Sequence, residues 1–134
     1  MSTLHLGVFD VPEDSSEMTT FAVAKILEKN YGLYSNFVAM NMDFIRNQIT
    51  QGLSNSVAVV AAGRVPKAMY GKAPDEITKR FRQQIDMDFL DGKVSGVKTK
   101  AAILKKSRTK GKRRSSVSFF DTGILRRNIH TWID

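Results

Sequence analysis

Between Lys93 and Arg114 the chain carries ten basic side chains and no acidic one. Such a segment cannot be buried in an apolar core, so the fold must be built from what lies on either side of it. The rest of the charge follows this division. Residues 1–91 hold nine Lys or Arg against eleven Asp or Glu, whereas residues 92–134 hold twelve against two. The net charge of +8 therefore belongs to the C-terminal third. Charge asymmetry of this kind points to contact with nucleic acid or with an acidic protein face. A solvated basic loop explains the run equally well.

A chain of 134 residues fits one domain, with the stretch 93–116 as a basic loop or arm within it. It can bury enough apolar surface to fold without staples. It has no cysteine, which excludes disulfides and cysteine-based zinc sites and fits a reducing compartment. The first ten residues lack the basic start and apolar run of a signal peptide. The longest apolar run, residues 57–62, is too short to cross a bilayer.

Leu4, Leu6 and Val8 alternate on one face and predict an opening strand, closed by the loop around Pro12. Phe21, Ala24, Ile26, Leu27 and Tyr31 then recur at helical spacing. Ser16 or Thr19 is the expected cap, and Gly32 the left-handed stop. A second helix is expected from Asn36 to about Gly52. One stripe runs through Phe37, Met40, Phe44 and Gln48; another runs through Val38, Met42, Ile45 and Ile49. Met40 and Met42 read as gap-filling core rather than as a metal site. Residues 57–62 fit a strand or a helix, and an interruption is expected between Pro66 and Pro74. A third helix starts near Pro74, with Ile77, Phe81, Ile85 and Phe89 as its core stripe. Lys79, Arg80, Arg82, Gln83 and Asp86 fall on its other faces. Beyond Gly92 and Gly96, residues 99–106 suit a short helix, 107–116 a loop or hairpin arm, and 117–120 a strand.

The last fourteen residues predict a short helix followed by a strand. Asp121 or Thr122 can cap the helix, and Gly123 permits a sharp turn beside the cap. Ile124, Leu125 and Ile129 supply its apolar face, with Arg126, Arg127 and Asn128 turned outward. Trp132 stands two residues before the last position. A terminus so aromatic is expected to be tied down, in a sheet or against a partner. Trp132 reads as a packing anchor, and Trp also suits an intersubunit contact. The resulting class is α+β: an N-terminal strand, three main helices, a basic arm, and a C-terminal helix and strand packed on a small sheet.

This order of features resembles the bacteriophage neck proteins called virion morphogenesis, tail-completion or head–tail joining proteins. Four blocks carry the likeness. They are the opening strand Leu4-His-Leu-Gly-Val-Phe9, the helix running from Thr20 to Asn30-Tyr-Gly32, the amphipathic helix from Glu76 to Phe89 with Asp91-Gly92, and the C-terminal block. The last leads from Ile103-Leu-Lys-Lys-Ser-Arg-Thr-Lys-Gly111 to Phe120-Asp-Thr-Gly-Ile-Leu-Arg-Arg-Asn-Ile129. The family's pattern there is a Ser/Thr-rich turn, Lys-Gly, a short gap, then Asp-Thr-Gly-x-Leu-x-x-Ser-Ile. Asn128 stands in place of the Ser. The family's Glu before the aromatic of the second block is absent, and Ser35-Asn-Phe-Val38 replaces its proline-rich element.

The resemblance implies a structural virion subunit that forms a homo-oligomeric ring at the neck or tail end. Such a ring joins head to tail and helps seal the DNA channel. Its neighbours would be the portal, an adaptor, or tail terminator and tube proteins. It would be found in the virion, and in the host cytoplasm during assembly. Lys105, Lys106, Arg108, Lys110, Lys112, Arg113 and Arg114 could give the lumen a positive lining. They would touch phosphates non-specifically, or reach onto a neighbouring subunit. Asp121, Thr122, Gly123, Leu125, Arg126, Ile129 and Trp132 form the C-terminal assembly motif under this reading. No cofactor, metal, membrane or small-molecule substrate is expected.

Enzymatic readings find little support in the residues. His5 and His130 could share a zinc ion only if the fold brought them together; otherwise both are surface histidines on strands. Asp86, Asp88 and Asp91 hint at a metal-dependent nuclease, but Asp86 would not share a helix face with the other two. The Asp121-Thr-Gly123 motif occurs once, whereas aspartic proteases need two aspartates. No phosphate-binding loop is present. The main alternative is a small non-sequence-specific nucleic-acid-binding protein that uses residues 98–114 as its arm. That arm lacks the interleaved aromatics of a single-strand platform, and no helix-turn-helix or finger signature accompanies it.

Overall fold

The computed structural model describes residues 2–12, 19–87, 89–90 and 124–134, the side chain of residue 124 excepted. The fold is α+β. Strand β1 (Leu4–Val8) is followed by helices α1 (Thr20–Tyr31), α2 (Leu33–Met40), α3 (Met42–Ala61) and α4 (Ala73–Asp86). A short helix α5 (Ile124–Asn128) then leads directly into β2 (Ile129–Ile133). The two strands pair antiparallel, with Leu4 opposite Ile133, Leu6 opposite Thr131 and Val8 opposite Ile129. The opening strand and the C-terminal strand thus close on each other. Backbone bonds between Thr3 and Asp134, and from Phe9 N–H to Asn128 O, extend the ladder at both ends.

The helices cover one face of this two-stranded sheet. α1 packs beside β1, α4 beside β2, and α3 against α4. Leu4, Leu6 and Val8 turn toward the helices, as their alternation predicts, and pack against the buried cluster. At the centre is Phe81 of α4, fully buried with Ile77, Phe37, Leu33, Leu90, Leu125 and Ile129. Its ring stacks on Phe37 at 4.3 Å between centroids and meets Tyr34 and Phe89 edge-on. Burying a side chain of this size stabilises a fold by about 1.5–3 kcal/mol.

The start of α1 fixes the exit from β1. Thr19 caps the helix by accepting from Ala22 N–H. The buried Thr20 hydroxyl donates to Phe9 O at 2.6 Å and accepts from Val11 N–H. α1 ends at Gly32, whose φ of 61° is left-handed, the stop expected from the sequence. The next helix follows without a linker. Its first turn is capped from the preceding helix: the Glu28 carboxylate accepts from Tyr34 N–H at 2.7 Å, from Ser35 N–H, and from the Ser35 hydroxyl. A carboxylate suits a helix N-terminus because the backbone N–H groups there lack helical partners.

The middle helix departs from the sequence expectation. It begins at Leu33 rather than Asn36, divides at Asn41, and runs to Ala61. Residues 57–61 form its last turn, so that apolar run is helix rather than strand. Asn41 causes the division. Its side chain is buried and donates to Phe37 O, one turn back, in competition with the backbone. Met40 and Met42 flank it and are therefore turned outward, 43 % and 39 % exposed, rather than filling the core. Residues 62–72 make the expected interruption. It lies tightly on α3 because Gly52 has no side chain: a Cβ there would fall 2.0 Å from Tyr70 O.

α4 starts where expected, with Pro74 in the first turn, and Ile77, Phe81 and Ile85 are buried; it ends at Asp86, so Phe89, expected as the last member of its stripe, lies in the turn beyond it and is only partly buried. The elements expected within residues 93–120 lie outside the described residues.

Candidate assembly surface

The C-terminal motif divides into buried and surface members. Leu125 and Ile129 are buried to 1 % and 0 % exposure, which ties α5 and β2 to the core. Arg126 does not simply face out. Its guanidinium forks onto Asp86 at the end of α4, Nε to Oδ1 and Nη2 to Oδ2, both at 2.6 Å. Asp86 is therefore half of an ion pair. Arg127 is exposed, as expected. Asp121, Thr122 and Gly123 lie outside the described residues, as do Asp88 and Asp91.

Two α4 residues that the sequence did not single out hold this motif in place. Arg82 Nη2 donates to Arg127 O at 2.9 Å and to Ile129 O at 2.7 Å. It thereby satisfies carbonyls at the junction where the short helix becomes a strand. Thr78 Oγ1 donates to Thr131 Oγ1 at 2.9 Å, which locks α4 to the buried side of β2. Only the position of Arg82 one turn from Thr78 on a helix face distinguished them in the sequence.

The outer face of the sheet carries a continuous ladder of rings. His5 stacks on Trp132 with centroids 5.0 Å apart, Trp132 on His130 at 4.7 Å, and His130 on Phe9 at 3.8 Å. The indole packs over Gly7, where a Cβ would approach it to 2.8 Å. Trp132 remains 41 % exposed and Phe9 57 %. Trp132 is thus a half-open packing element. The fold does bring His5 and His130 to one face, but each ring stacks on the indole, and His5 Nε2 pairs with Asp134 Oδ2 at 3.0 Å. No group of three or more His, Asp or Glu suited to a metal ion occurs among the described residues.

A groove of about 550 Å³ runs between α4 and β2. Lys79, Arg82, Arg126 and His130 face it, with Thr78 and Asp75. Two nitrogens in its wall, Arg82 Nε and His130 Nδ1, are covered from solvent and have no hydrogen-bond partner among the described residues. The groove is more basic than acidic, and the sequence did not reveal it because its walls are some fifty residues apart in the chain.

The expected DNA-facing residues, Lys105, Lys106, Arg108, Lys110, Lys112, Arg113 and Arg114, all lie outside the described residues. No described helix is long and apolar enough to cross a membrane. Comparison of the chain with protein-family models, with curated proteins and with solved structures finds no match to any of them.

Proposed function

We propose that this chain is a structural subunit of a tailed bacteriophage, assembling as a homo-oligomeric ring at the neck or tail end to join head to tail and help seal the DNA channel. The observation that carries this reading is where the blocks of family likeness come to lie. β1, α4 and α5 belong to three of those blocks, the last of them described only from residue 124 to its end at Ile129, and they meet in one core around Phe81, Leu125 and Ile129. Of the motif's pattern residues, Leu125 and Ile129 are buried in that core. Arg126 engages the carboxylate that a nuclease reading would assign to a metal.

The basic segment 93–114 then has a clear use. In a ring it presents cations to phosphates of the passing DNA or to an adjoining subunit. Binding of that kind is independent of sequence and weakens with salt. The ring's neighbours in the particle are the portal, an adaptor, or tail terminator and tube proteins.

Removal of the coding sequence from the phage genome tests the proposal. The expected result is unjoined heads and tails, restored to infectious particles by the chain supplied in trans. Normal yield of infectious particles without the chain would overturn it.

A further inference from the structure

We infer that the free edge of β1 pairs antiparallel with the β1 edge of a second copy of this chain. The inference goes beyond the ring reading and does not depend on it. The bonding pattern decides which backbone groups are free. Thr3 and Asp134 exchange two backbone bonds, and Phe9 N–H reaches Asn128 O. In this register the odd-numbered residues of β1 bond to β2. The N–H and C=O groups of Leu4, Leu6 and Val8 therefore point away from β2. Among the described residues nothing bonds to them, since the sheet has two strands and no turn or cap reaches this edge. β1 is only half-buried along its whole length.

The other edge of the sheet is closed. Ile129 stands opposite Val8, so its carbonyl points away from β1, and Arg82 Nη2 donates to it there at 2.7 Å. α4 packs along the same strand. One open edge per chain favours a two-fold contact, β1 to β1, that closes on two copies. The strand is its own complement. With the axis at Leu6, Leu4 faces Val8 of the second copy, Leu6 faces Leu6 and Val8 faces Leu4, and each pair can exchange both bonds. A slip of two residues loses one of these pairs. The apolar side chains meet on the helix side, because residues directly opposite share a face. On the outer side His5 comes opposite Gly7, beside the indole that covers it. Natural edges that stay unpaired are guarded by a charge, a proline or a bulge. From Ser2 to Phe9 there is no Lys, Arg, Asp, Glu or Pro, and the β1–β2 register is unbroken.

Cysteine cross-linking tests the register, because the native chain has no cysteine. The two-fold pairing sets Thr3 of one copy opposite Phe9 of the other on the outer face. Within one chain these positions are about 20 Å apart along the strand, beyond the reach of a disulfide. Thr3→Cys and Phe9→Cys chains are prepared separately and mixed under mild oxidation. The mixed dimer should exceed either like-with-like dimer about tenfold. Leu4→Pro removes an N–H that the pairing uses and the chain itself does not, at the first position of a strand, where proline is tolerated. Leu4→Ala removes the same side chain and keeps the N–H. In sedimentation, with folding checked by circular dichroism, Leu4→Pro should raise the dimer dissociation constant about tenfold over Leu4→Ala. Should Leu4→Pro not fold, the cross-link yields decide alone. A mixed dimer no more abundant than the others overturns the inference. So does an equal dissociation constant in the two folded variants, or a wild-type chain that is monomeric at every concentration. Rings that form without the mixed cross-link remove this contact and leave the ring reading standing. A cross-linked pair in a chain that phage particles do without keeps the contact and removes the ring reading.

Discussion

Arg126 and Asp86 meet as a two-pronged ion pair, forty residues apart in the sequence and 2.6 Å apart at both contacts. The pair fastens the C-terminal motif to the end of α4. Both side chains are partly exposed, so water screens their attraction. Asp86→Asn should lower stability by about 0.5–1 kcal/mol, read as a shift of the denaturant midpoint without a change in slope. Neither the wild type nor this variant should cut plasmid DNA in magnesium or manganese. Cutting that disappears on Asp86→Asn would assign the carboxylate to a metal instead.

Leu125 is the member of the C-terminal motif that, with Ile129, is most deeply fixed in the core. Leu125→Asp places a charge inside an apolar cluster and should cost more than about 4 kcal/mol, enough to unfold the chain or abolish assembly. Circular dichroism and sizing read both outcomes. Wild-type melting and assembly in this variant would refute the placement of α5.

Asn41 and Gln84 exchange amide hydrogen bonds, Asn41 Nδ2 to Gln84 Oε1 at 2.7 Å and Gln84 Nε2 to Asn41 Oδ1 at 2.8 Å. Arg80 Nε adds a third contact to Asn41 Oδ1. Each residue's replacement by Ala leaves the other's polar atoms stranded, at about 1–3 kcal/mol. A double-mutant cycle should show a coupling of about 1 kcal/mol or more. Additive losses would mean that the α2–α3 junction is not held by this pair.

The phenol of Tyr34 is pushed up to about 12 by burial first and by the Glu28 carboxylate second. In the unfolded chain the group ionises near its ordinary value of 10.0. Between those values the unfolded chain binds fewer protons than the folded one, so stability falls as pH rises. Below the lower value the contribution is fully present. The loss across the window is on the order of 2 kcal/mol. Tyr34→Phe should flatten this alkaline slope. At neutral pH it should leave stability equal or slightly higher, because the buried hydroxyl has no hydrogen-bond partner among the described residues. Denaturation midpoints across the alkaline range check both statements. An unchanged slope in the variant would place the sensitivity elsewhere.

The helices were most legible where one stripe decided them. Ile77, Phe81 and Ile85 recur at one spacing with polar residues between, and α4 lies where that pattern puts it. The α2–α3 segment was harder because apolar residues cover two faces there. A buried polar Asn41 interrupts it, and its partner Gln84 lies on another helix. The Glu28 cap was hidden because a carboxylate seven residues before Ser35 serves a helix other than its own. The ladder of His5, Trp132, His130 and Phe9 depends on the register between β1 and β2. Neither strand specifies that register alone. The groove depends on the packing of α4 against β2, which brings Lys79 and Arg82 beside His130. The basic arm was conspicuous from charge alone, but charge indicates a type of partner and not a position.

Electron microscopy of phage particles carrying a labelled copy of this chain tests the central claim most directly. A ring of label between head and tail, with the chain in several copies per particle, is the predicted result. Particles complete at the neck and tail end but free of this polypeptide would contradict it.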